Sequence, residues 1–217
     1  MIRILVLVMV IAGGWQLASG GWIWAKALLA QRLLEQSWSQ MQLQHHNGNA
    51  EVIKPWPWAD THATARLEVP ELAINMIVLQ GDSGRTLAFG PGQSNDSVAP
   101  GELGTTVISG HRDTHFSFMR DLKTNMKLRL QTLDRELLYR VREARIIDSR
   151  QGGIIAPEED YGLLLVTCYP FDSIEPGGPL RYLVWAEAEP QPDQRKPPSP
   201  LISAIRANPA STLKIIL

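Results

Sequence analysis

A mainly β fold, a barrel or a sandwich with one or two short helices set behind an N-terminal apolar helix, is what the sequence predicts. Three observations carry that prediction. From Ala63 onward, short apolar runs are separated by Gly, Pro, Asn and Asp, the texture of an all-β domain. From Ile4 to Trp24, 21 residues pass without a charge. Near Glu189 the patterned region gives way to PQPDQRKPPSP, a proline-rich stretch that ends a domain. With 217 residues, 44% hydrophobic and 20% charged, the chain has room for one domain with extensions at both ends.

The N-terminal run, ILVLVMVIAGGWQLASGGWIW, is long enough to cross a hydrocarbon layer of roughly 30 Å as a helix. Trp15, Trp22 and Trp24 suit the membrane interface. We read residues 1–30 as a retained membrane anchor. The competing reading is a cleaved signal segment with Ala18-Ser19-Gly20 as its small-residue site. Ala25 to Gln44 extends the helix, and His45-His46-Asn47-Gly48-Asn49 breaks it. Residues 31–62 are expected to form a juxtamembrane linker. Within it KPWPWAD, Lys54 to Asp60, cannot be a regular helix; Trp56 and Trp58 are expected to pack on the domain, with the membrane surface as the alternative.

Strands are predicted at Ala65 to Val69, Ala73 to Leu79, Thr105 to Ser109, Lys127 to Gln131, Glu136 to Ile147, Gly162 to Cys168 and Tyr182 to Ala188. Short helical turns are predicted near Gly84 to Ala88 and Phe116 to Leu122. Residues 63–189 then form the domain, and residues 190–217 a proline-rich linker and tail. Leu201 to Leu217 is too short and too broken by Arg206, Pro209 and Lys214 to span a membrane.

Net charge narrows the function. At -1, without a basic run, the chain offers no broad attraction to nucleic acid, which is excluded as a partner. Its single cysteine, Cys168, has no internal disulfide partner. In an exported domain such a thiol is a candidate for chemistry. Three stretches each place a chemically capable side chain at the edge of an apolar strand: TTVISGHRDTHF, LLLVTC and LRYLVWAEA. Singly, each has an ordinary explanation. His111 fits a loop histidine, Cys168 a small buried hydrophobe and Arg181 a solvated strand end. Jointly they do more. The loop YPFDSIEPGGPL makes the flanking strands antiparallel neighbours, which puts Cys168 and Arg181 on one rim.

A thiol, an imidazole and a guanidinium are the parts of covalent acyl transfer without metal or organic cofactor. A free thiol is ionised to only a few per cent at neutral pH, and a positive neighbour raises that share. Arg181 supplies permanent charge and forked donors for an oxyanion. An imidazole such as that of His111 suits protonating a departing amine and later taking a proton from an incoming one.

The stretches RLEVPEL, LAFGPG, GTTVISGHRDTHFSFMRDL, LLLVTCYPF and LRYLVWAEA, from about Ala65 to Ala188, resemble the sortases, and most of all the Gram-negative branch. The family's His of a Gly-His step, Cys of a Thr-Leu-x-Thr-Cys strand and following Arg match His111, Cys168 and Arg181. Thr167 matches the threonine before the cysteine, and Leu164 stands where the strand signature usually begins with threonine. The resemblance implies an eight-stranded sortase-type β-barrel and a membrane-anchored cysteine transpeptidase. Cys168 would cleave an LPxTG-like C-terminal sorting signal between Thr and Gly, and an amine in the cell envelope would take the target from the thioacyl-enzyme.

It implies further a bacterial inner-membrane protein, single-pass, with its catalytic domain on the extracytoplasmic side and one dedicated target encoded beside it. Thr167, Arg112 and Asp113 are candidate substrate-binding residues. Arg112 and Asp113 alternatively orient the imidazole or form a solvated pair. His115, four residues past His111, would suggest a metal pair on a helix, yet Gly110 and the preceding strand make the segment a loop. Glu158-Glu159-Asp160 reads as a solvated turn, with calcium as the alternative. Two rivals are weighed. A peptidoglycan L,D-transpeptidase expects Ser-x-Gly-Cys, against Val166-Thr167 here. A non-enzymatic tethered β-domain would keep Cys168 as packing.

Overall fold

The computed structural model describes residues 2–49, 51–151, 154–156, 161–173, 177–189 and 213–215. It opens with one helix, α1 (Ile2–His46), 45 residues long and so roughly 68 Å at 1.5 Å per residue. No proline interrupts it. It stops where Gly48 takes φ +80°, the left-handed conformation that glycine adopts without strain. Leu34, Trp38 and Met41, spaced four and three apart, share one face and are buried against Ala63, Ile77 and Leu79. Glu35 pairs with Arg66 on the barrel. The expected juxtamembrane linker is therefore, through His46, a helix docked on the domain.

The domain is a closed barrel of eight strands in the order β1-β2-β3-β4-β8-β9-β6-β5. These are β1 (Ala63–Val69), β2 (Ile74–Gln80), β3 (Gly92–Gln93), β4 (Gly104–Ser109), β5 (Lys127–Gln131), β6 (Glu136–Asp148), β8 (Tyr161–Cys168) and β9 (Leu180–Ala188). β2/β3 and β4/β8 are parallel pairs and the other neighbours antiparallel. A short α2 (Gly84–Leu87) starts at Ser83, whose hydroxyl accepts from Thr86 N. The predicted helix at Phe116 to Leu122 is a 3-10 turn over Ser117–Asp121. β7 (Ile154–Ala156) pairs outside the barrel with β10 (Leu213–Ile215) of the tail. The acidic cluster at Glu158-Glu159-Asp160 lies outside the described residues.

Alternation along the strands sorts side chains into two apolar layers. Inside are Leu67, Ile108, Phe116, Leu130, Tyr139, Leu163, Leu165 and Val184. Outside, Val107, Leu164, Val166 and Leu183 form a separate cluster with Trp185 and Ile147 packed on it. Six consecutive residues of β8 are buried because the strand has apolar cover on both faces. The outer cluster leads to the rim that carries the cysteine. Trp56 packs edge-on against Phe89 at 4.8 Å, as expected of it, whereas Trp58 is 79% exposed.

Candidate active site

Register builds the site. On β4 and β8 the outward residues pair as Val107 with Leu164 and Ser109 with Val166, while β8 and β9 pair Leu164 with Trp185, Val166 with Leu183 and Cys168 with Arg181. Each row is one rung of the outer face, and Cys168 and Arg181 form the last. Tyr169 N donates to Leu180 O at 3.0 Å, which makes the neighbouring Cys168–Arg181 rung a non-hydrogen-bonded pair, the closer of the two kinds. Thiol and guanidinium thus leave the sheet on the same face from directly opposed positions. Cys168 is half-buried there, not enclosed in the core.

The β4–β8 ladder runs one bond past the strand, with Gly110 N donating to Val166 O at 3.0 Å. Extending the same register brings position 111 level with Cys168. Gly110 is held on its other side too, because Thr167, 2% exposed, donates its hydroxyl to Gly110 O at 2.7 Å. A Cβ at Gly110 would come within 2.5 Å of the buried Phe116 ring, so only glycine lets the strand end lie this close to the core. Beyond it the chain turns: Phe116 N and Thr114 N both donate to His111 O, at 2.9 and 3.3 Å. His111 is exposed at the head of this turn. HRDTH is consequently a turn and not the helix on which an i, i+4 pair would bind metal. Among the described residues no cluster of His, Cys, Asp or Glu is arranged to hold a metal ion.

Arg112 departs from the sequence reading of a solvated pair. It is 4% exposed, and its guanidinium donates to Asp113 Oδ1 at 2.8 Å, Pro170 O at 2.6 Å and Ser173 O at 2.9 Å. One cation therefore laces the turn after His111 to the loop after Cys168. Its basicity is raised, first by the bond to Asp113 and further by Cys168 and Asp172, which places its charge in reach of the thiol. Asp113, largely exposed, is held below the usual carboxylate range by that same bond, with the charges of Arg112, His111 and Arg120 adding to it. Burial pushes His115 down, with His111 nearby contributing, so its neutral form is favoured.

Arg181 donates from Nη1 to Gly178 O at 2.7 Å and Leu180 O at 3.1 Å, leaving Nε and Nη2 without protein partners among the described residues. The structure thus brings His111, Cys168 and Arg181 to one rim. Of the candidates for substrate contact, Thr167 is buried and binds Gly110 O, and Arg112 is buried and binds Asp113 and two loop carbonyls. An aromatic group that sequence reading passed over closes the barrel beside them. Tyr169 stacks on Tyr182 at 6.1 Å, and Phe171 meets Tyr182 edge-on at 5.1 Å. The motif YPF was visible in the sequence; its partner, 11 residues later across the loop, required the β8/β9 register.

A family model described as a sortase domain matches residues 67–189. Sortase D of Bacillus subtilis (strain 168) is 33% identical over 126 residues, 58% of this chain and 63% of that protein, so the match spans less than two thirds of the relative's length. A sortase D5 transpeptidase from Clostridium perfringens has a similar fold, with a TM-score of 0.58 at 17% identity over 75% of this chain and 99% of that one. Sortase C from Clostridium perfringens, solved with the C-terminal cell wall sorting motif, has a TM-score of 0.53 at 20% identity over 77% and 91% of the two chains.

Proposed function

The chain belongs to the sortase family, and on that premise we propose that it is a membrane-anchored cysteine transpeptidase with Cys168 as nucleophile, His111 as proton carrier and Arg181 as oxyanion donor. The observation that carries this reading is the last rung of the outer face, where Cys168 stands directly opposite Arg181 and level with position 111. Thiolate Sγ of Cys168 attacks the Thr carbonyl carbon of an LPxTG-like signal. Nε and Nη2 of Arg181, without partners among the described residues, receive the oxyanion. The C–N bond then breaks, the departing glycine amine takes a proton from His111, and a thioester remains on Cys168. An acceptor amine attacks that thioester, gives a proton back to His111 and releases Cys168 as the thiolate, which restores the starting thiolate and protonated imidazole.

The uncharged run from Ile4 to Trp24 within α1 supports membrane anchoring, and the family reading makes that membrane the bacterial inner membrane, with the barrel on the extracytoplasmic side. Branch and partner follow from the motifs: a Gram-negative type of sortase serving one dedicated target and an envelope amine. Thr167, Arg112 and Asp113 act by positioning. The test uses the full-length protein in detergent with an LPxTG peptide and an amine. Cys168→Ala is expected to abolish both cleavage and a thioacyl adduct seen by mass spectrometry, and Arg181→Ala to lose roughly 10²-fold, the scale of one oxyanion donor. Cleavage by the alanine variant at Cys168 would overturn the mechanism.

A further inference from the structure

We propose that α1 is a rigid stand that presses the catalytic rim toward the bilayer, so that the enzyme selects scissile bonds lying at a short, fixed height above the membrane. This rests on the anchoring and active-site readings above. Strand polarity carries it. The early residues Ala27 and Leu28 of α1 line a cleft of about 540 Å³ together with Ile74 and Met76, at the start of β2. Later residues Trp38 and Met41 are buried in the cluster that holds Leu79, near the end of β2, and His45 reaches Asp134 past the end of β5 at 3.0 Å. The helix therefore runs the way β2 and β5 run. β3 is parallel to β2, β4 antiparallel to β3, and β8 parallel to β4. The ends of β4 and β8, and the start of β9, must then lie at the end of the barrel where α1 arrives. That is where His111, Cys168 and Arg181 stand.

The same cleft gives an independent check, because its far wall is Thr114, His115 and Ser117, the turn that follows His111. The apolar run ends at Trp24. Ala27 is three residues further, about 4.5 Å along the axis, and Ala30, the first buried residue of the helix among those described, about 9 Å. The headgroup layer on one side of a bilayer is about 5–7 Å thick. The turn carrying His111 thus sits at the lipid surface. Three consecutive contacts, Leu34, Trp38 and Met41, fix the helix to the barrel, and no proline or other breaker follows Trp24 before His46. Nothing in that span lets the domain swing away. The fitting substrate is a polypeptide anchored in the same bilayer, with its cleaved bond only a few residues outside its own span.

The experiment co-reconstitutes full-length enzyme in vesicles with a model protein bearing the cleavage motif, a short spacer and an apolar span. A seven-residue helical insertion between Ala25 and Lys26 lifts the rim about 10 Å while keeping the docked face within about 20° of its direction. Cleavage of the anchored substrate is expected to fall roughly tenfold or more and to recover when the substrate's spacer is lengthened to match. Cleavage of a soluble LPxTG peptide by the same vesicles should stay unchanged. A seven-residue Gly-Ser insertion should erase the dependence on spacer length. Equal cleavage of the short-spacer substrate by inserted and native enzyme overturns the proposal, as does a loss shared by the soluble peptide, which would mean a damaged site. If the native enzyme cleaves neither substrate, or leaves the membrane fraction, the functional or anchoring reading fails first and the height mechanism with it.

Discussion

At the scale of single residues, the candidate site is positioned by how Gly110 is gripped. Its amide is tied to Val166 O, its carbonyl to the Thr167 hydroxyl, and its missing side chain makes room for Phe116. Thr167→Val keeps the volume and removes one hydrogen bond, leaving a buried carbonyl unpaired at a cost of about 1–3 kcal/mol. The expected result is a modest fall in melting temperature with a larger fall in kcat, because position 111 loses its register with Cys168. Gly110→Ala should destabilise by roughly 1–3 kcal/mol, since the methyl group overlaps a buried ring. Thermal melts and peptide cleavage on the same preparations check both; a Thr167→Val protein with native kcat would deny the hydroxyl its positioning role. That His111, Cys168 and Arg181 share one rim was legible because each stands at the edge of an apolar strand. The burial of Arg112 was not, since an arginine beside an aspartate in a turn reads as a substrate contact or a solvated pair alike until the two loops that bury it are folded together.

Among elements, α1 shows where pattern reading stops. Its helicity through Gln44 and the break at Asn47-Gly48 followed from composition alone. That its outer half is part of the domain did not, because the spacing of Leu34, Trp38 and Met41 announces a buried face without naming what buries it. β3 escaped for a different reason: a strand of two residues, Gly92–Gln93, has no periodicity to detect, yet it closes the barrel between β2 and β4. Strands with a covered face, such as β1, were plain, and the bulge between Ala63 and Ala65 explains how Ala63 leaves the barrel interior to meet the helix. The docking makes a prediction. Trp38 is fully buried, so Trp38→Ala should cost about 3–5 kcal/mol. Trp38→Phe should cost much less, because the indole N–H it removes is buried with no partner among the described residues. Chemical unfolding of the three proteins in one detergent compares them, and equal midpoints for Ala and wild type would mean that the helix is not docked.

For the whole molecule, burial of titratable groups limits stability from both sides of neutrality. Burial lowers His62, with Lys54 adding to it, and lowers His115, with His111 adding to it. For a base with a depressed folded pKa, the unfolded chain takes up protons first. Stability is then complete above the ordinary histidine value of about 6.5 and declines as pH falls from there through the folded values. Tyr139 supplies the opposite limb. It is 1% exposed and burial pushes its phenol up to about 12. The unfolded chain ionises this group near 10 while the folded one holds its proton, so stability falls as pH climbs from about 10 toward 12, by on the order of 3 kcal/mol. Melting temperature measured from pH 5 to pH 11.5 should therefore form a plateau with two shoulders. The acid shoulder should flatten in His62→Gln and His115→Gln, and the alkaline one in Tyr139→Phe. A Tyr139→Phe protein that keeps the full alkaline slope would assign that limb to Tyr182, whose phenol burial and Tyr169 also raise.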